Sequence, residues 1–198
     1  MSPNRERNAS LRRVVLGVGI CNLAYFGFEF AVARRIGSVS LFADSVDFLE
    51  DASVNFLIAL SLSWTARNRA RVGMVLALLL LVPGVATLWT AWEKLATSIP
   101  PQPIPLTLTG AGALVVNFGC AFVLARHRHL GGSLTKAAFL SARNDAVANI
   151  AIIAAGLVTA FVWHSVWPDL ITGLAVAAMN VGAAREVWQA ARAEQSRS

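Results

Sequence analysis

Six apolar stretches, each about twenty residues or more, leave this chain few ways to fold. They cover about residues 14–33, 41–64, 72–92, 105–125, 137–161 and 167–187. A helix needs roughly 20 residues to cross a hydrocarbon core of roughly 30 Å. Lipid offers no partner to a free backbone N–H or C=O, so such stretches cross only as helices. The expectation is an all-α, polytopic membrane protein with a bundle of six transmembrane helices. Residues 1–13 form a leading segment, 14–187 the transmembrane domain and 188–198 a short tail. The fifth and sixth stretches are separated only by His164, Ser165 and Val166. Pro83 predicts a kink in the third, and the run from Ser98 to Pro105 predicts a stiff turn before the fourth.

Composition agrees. Only 14% of the 198 residues are charged against 56% apolar, whereas soluble domains carry about 25% charged residues. The net charge of +6 does not point to nucleic acid, because the basic residues sit in short clusters between apolar runs. They read as a topology signal. With the N-terminus in the cytoplasm, 13 lie inside: Arg5, Arg7, Arg12, Arg13, Arg67, Arg69, Arg71, Arg126, Arg128, Lys136, Arg185, Arg192 and Arg197. Arg34, Arg35 and Lys94 lie outside, and Arg143 falls within a span. Both termini are therefore expected in the cytoplasm of a multi-pass cell-membrane protein. Arginine and alanine richness suggests a bacterial inner membrane. Cys21 and Cys120, inside apolar runs, read as packing residues. Trp64, Trp89, Trp92, Trp163, Trp167 and Trp188 lie mostly near span ends, as interface anchors do.

Acidic residues inside a span are costly and mark function. The second span holds Asp44, Asp47, Glu50 and Asp51 within eight residues. At helical pitch Asp44, Asp47, Asp51 and Asn55 fall within a sector of roughly 80°, with Glu50 at its edge. Asp47 and Asp51 stand about 6 Å apart along the axis, close enough to share a cation. The fifth span repeats the pattern with Ser141, Asp145 and Asn149 on one face. The two spans run antiparallel, so their stripes can converge near the bilayer midplane. Clustered carboxylates there need a cation or protons to neutralise them, and oxygen ligands suit a divalent metal. Arg143 lies about 200° around the helix from Asp145 and cannot serve it.

Other polar residues read as supporting. Glu29, near the outer end of the first span, is expected at a water-facing mouth. Asp169 opens the sixth span, where the helix dipole favours a carboxylate. His127 and His129 belong to an arginine-flanked loop, and His164 is a lone loop histidine. Asn22 and Asn117 are expected to join helices by hydrogen bonds.

With these features the chain resembles the transmembrane part of a cation diffusion facilitator, a family of proton-coupled divalent-metal exporters. The similarity rests on Ser40-Leu-Phe-Ala-Asp44-x-x-Asp47-x-x-x-Asp51, on Asn22, Phe26 and Glu29, on Val115-Val116-Asn117 and on Asp169, over roughly residues 12–190. It implies a tetrahedral metal site at Asp47, Asp51, Ser141 and Asp145. Ser141 stands where the family usually has His or Asp. A neutral hydroxyl is a poor zinc ligand, so water, Asn144 or a backbone oxygen would complete the site and a metal harder than zinc is implied. The resemblance further implies a homodimer, here without the family's cytoplasmic C-terminal domain. The expected function is proton-coupled export of zinc, manganese, iron, cobalt or cadmium, the metal being substrate and no cofactor being needed. Export of organic cations and a non-transporting metal-binding subunit are the alternatives. With no His-rich cluster, nucleophile–base pair or cofactor loop, an enzyme is not expected.

Overall fold

The computed structural model describes residues 3–61 and 85–179, with side chains for residues 9–60, 85–126 and 145–179. The third span's first half, with Pro83, and the end of the sixth span lie outside the described residues, as do Trp64 and Trp188. All described secondary structure is helical: α1 (Pro3–Ile36), α2 (Val39–Ser61), α3 (85–97), α4 (Pro103–Phe161) and α5 (Trp167–Met179). The stretches Ala9–Ile36 and Pro103–Arg126 are long and apolar enough to cross a membrane.

Helix α1 begins at Pro3, ahead of its apolar run, because proline's fixed φ and missing N–H suit the first helical position. It ends at Gly37, whose φ of 62° a side chain would resist. There Ser38 N donates back to Ala33 O at 3.0 Å, a Schellman closure. The two-residue turn makes α1 and α2 an antiparallel hairpin, with Tyr25 stacked on Phe48 at 4.8 Å and Phe30 on Phe42 at 5.5 Å. The loop before α4 is shorter than expected, because Pro103 enters the helix at its first turn.

The fourth and fifth spans are not separated by an open loop. Helical backbone is assigned from Pro103 to Phe161, yet Asn117 touches Asn149, Gly110 packs against Ile152 and Gly156 against Thr107. A straight helix would hold residues 117 and 149 about 48 Å apart. The chain therefore doubles back on itself, and the paired positions are symmetric about residues 131–133, Gly131-Gly132-Ser133. The fourth and fifth spans therefore run antiparallel, while the segment between them, with His127 and His129, is helical in backbone.

The bundle is polar inside and apolar outside. Asn22, Glu29, Asp44, Asn117, Asn149 and Asp169 are buried, whereas Val115 and Phe161 are 71% and 83% exposed. Apolar clusters close both ends: Leu11, Val15, Ile58 and Leu124 at one, and Ala33, Leu41, Leu106 and Ile152 at the other, the Gly37 end. Helix α5 runs parallel to α2, with Gly173 against Val39 and Ser40 and Val176 against Ala43.

That contact admits no side chain. A Cβ at Gly173 would lie 2.7 Å from the Val39 carbonyl carbon and 2.8 Å from Ser40 N. Gly173→Ala should cost about 1–3 kcal/mol, read as a lower unfolding temperature in detergent. Gly119→Ala, where nothing lies within 4 Å, should leave stability unchanged or gain about 0.5–1 kcal/mol. Equal behaviour of the two variants would contradict this packing.

Candidate functional site

The polar interior is built from four helical segments, each antiparallel to the next. α1 contributes Asn22, Tyr25 and Glu29, α2 contributes its acidic face, and the two arms of α4 contribute Asn117 and Asn149. Asn117 Nδ2 donates to Asn149 Oδ1 at 3.0 Å, and Asn149 Nδ2 donates to Asp44 Oδ2 at 2.6 Å. Cys120 Sγ meets Asn22 Oδ1 at 3.4 Å, and Tyr25 OH donates to Thr109 O at 2.7 Å. The asparagines thus join helices as expected, and Asn149 ties the second arm of α4 to α2.

The Asp44–Asn149 bond sets the register, because α2 and the second arm of α4 run antiparallel, with Leu41 packed near Ile152. One turn further along, Asp47 comes level with Asp145. Asp47 lies within electrostatic reach of Asp145, Asp44, Glu50 and Asp51, and Asp145 within reach of Asp51, Asp44 and Glu50. Asp51 and Glu50 are buried, while Asp47 and Asp145 are half-buried. Asn55 Nδ2 turns back to Asp51 O at 2.8 Å, so it supports the α2 backbone. Three of the four expected ligands, Asp47, Asp51 and Asp145, therefore occupy one region. Among the described residues, however, no three His, Cys, Asp or Glu side chains are arranged to hold one ion. Ser141 and Arg143 lie in α4 outside the described side chains.

Two sequence expectations change. Glu29 is not at a water-facing mouth: it is fully buried, and its carboxyl comes within hydrogen-bonding reach of that of Asp44. The tight turn at Gly37 brings Glu29, eight residues before it, near Asp44, seven after it, well inside the bundle. Asp169 serves another helix rather than only its own. Its Oδ2 accepts Val39 N at 2.8 Å, and its Oδ1 accepts Ser40 N at 3.2 Å and both serine hydroxyls, Ser38 Oγ and Ser40 Oγ, at 2.6 Å. Ser38 Oγ accepts Leu41 N at 3.1 Å, so the first three N–H groups of α2, orphans by geometry, are all satisfied. Lys94 Nζ donates to Gly37 O in the same corner.

The cation efflux transmembrane domain model matches residues 15–192. The chain belongs to the cation efflux family. The match spans nearly the whole chain, and it identifies the bundle as the transmembrane part of a cation diffusion facilitator. A cation efflux protein is a membrane protein and a cation transporter, in a family of transporters rather than enzymes. No curated protein matches the chain. In this family setting an acidic interior is the expected chemistry for a positively charged cargo.

Proposed function

We propose that this cation efflux protein exports a divalent metal ion in exchange for protons, as a homodimer in the inner membrane of a bacterium. The observation that supports it best is the meeting of acidic faces from two antiparallel helices, Asp47 and Asp51 on α2 and Asp145 on α4, inside a membrane bundle. Carboxylates so placed repel one another, and a doubly charged ion or protons relieve that repulsion alternately. The ion enters from the cytoplasm and draws Asp145 and Ser141 against Asp47 and Asp51. Rocking of the helices then exposes it to the other side, where protons displace it. The acids are fixed midway along their helices, so ligand approach and helix movement are one event.

The direct test is purified protein in liposomes with a metal-sensitive dye inside and a proton gradient imposed. Metal should move against its gradient when protons are supplied, and each turnover should carry protons the other way. Metal flux unaffected by collapse of the proton gradient would refute the exchange.

Ser141 sets the metal. Three carboxylates and a hydroxyl form an all-oxygen set, which suits manganese or iron(II) better than zinc. Ser141→His should raise zinc affinity about tenfold or more relative to manganese, as read by competition binding. An unchanged zinc-to-manganese ratio would remove residue 141 from the site.

A further inference from the structure

Glu29 on α1 and Asp44 on α2 are both fully inside the bundle. Their carboxyl groups come within hydrogen-bonding reach, yet neither oxygen of Glu29, nor Asp44 Oδ1, meets an N–H or O–H donor among the described residues. The Asn149 amide satisfies Asp44 Oδ2 and leaves the other oxygen to Glu29. Ionised carboxylates only accept hydrogen bonds, so two of them cannot hold each other. One proton between them turns the repulsion into a short, charge-assisted hydrogen bond.

We propose that Glu29 and Asp44 share a single proton and form a proton-carrying site separate from the Asp47, Asp51 and Asp145 cluster. The described titratable groups around the pair are Tyr25 on α1, Asp47 on α2 and Asp145 on α4. All are neutral or acidic, and Tyr25 OH is spent on Thr109 O, so this surrounding favours a proton over an empty, doubly ionised pair. Two carboxylates alone are a poor cage for a divalent ion, which takes six or more oxygens as calcium or several waters as magnesium.

The pair is wired to the metal cluster on both sides. Asp44 is one turn from Asp47 on α2, and Asn149 is one turn from Asp145 on α4. A cation arriving at the cluster stabilises the ionised form of the pair and expels its proton, which leaves as H⁺ with the electron pair retained on oxygen. This rests on the exchange reading above and supplies it with a proton carrier that is not a metal ligand.

Infrared difference spectroscopy of the metal-free protein at neutral pH tests it. Wild type should show a protonated-carboxyl C=O component that Glu29→Gln removes, because the new amide donates to Asp44 and leaves it ionised. Asp47→Asn should retain the component. Asn149→Ala, which takes the donor from Asp44 without touching either acid, should shift it. A spectrum unchanged by both Glu29→Gln and Asn149→Ala, or a wild type without the component, overturns the proposal. Exchange itself would fail differently: the component would persist while liposomes showed no proton counterflow. Counterflow in wild type without the component would sink the pair alone.

Discussion

Asp47→Asn should slow divalent-metal transport in proteoliposomes about a hundredfold or more. Residues that merely orient a ligand already cost 10–100-fold in metal affinity when lost, and Asp47 sits at the centre of the cluster, within electrostatic reach of four other acids. The amide matches the carboxylate in shape but brings no charge, so the bundle should keep its fold and unfolding temperature. Relief of repulsion would even favour the metal-free state. The change should therefore appear in binding and flux and not in stability. Tolerance of a metal-sensitive host should fall with it. Transport within about threefold of wild type would place the ion elsewhere, since a lost ionic ligand is worth far more than the roughly 0.65 kcal/mol that threefold represents.

The second large effect is on folding. Asp169→Ala should destabilise the protein by about 3–5 kcal/mol, the range seen when one partner of a buried charged network is removed. Asp169 accepts four hydrogen bonds from the start of α2. Without it the N–H groups of Val39 and Ser40 stay buried with no acceptor, each costing about 1–3 kcal/mol. The loss should show as a lower unfolding temperature in detergent and as faster amide exchange at Val39 and Ser40. Asp169→Asn should be milder, since its amide oxygen still accepts. A variant as stable as wild type would contradict the capping role.

Much of this architecture could be read from residue order alone. The helices follow from apolar run length, and the acidic face of α2 follows from 100° geometry applied to Asp44, Asp47 and Asp51. The glue asparagines were legible because amides in lipid need partners. Glu29 was not, since its depth depends on how tightly Gly37 turns the chain, which sets the level of one helix against the next. Asp169 escaped for a related reason. Its partners lie about 130 positions earlier, and no local pattern records which helix terminus a distant carboxylate will cap. The Gly37-Ser38 turn fixes a helix start without naming the acid that completes it. The fold-back within α4 was visible as two consecutive apolar spans, which must cross the membrane in opposite directions.

In the proposed exporter α2 and the second arm of α4 hold one ion jointly. A double-mutant cycle on manganese binding, using Asp51→Asn, Asp145→Asn and the pair, tests it most directly. Shared ligation predicts that either single change removes nearly all the binding, so that the double variant is scarcely worse and the coupling energy falls at about 1–3 kcal/mol or above. Independent, additive losses would mean that the two helices do not meet at a common ion, and the exporter account would fail.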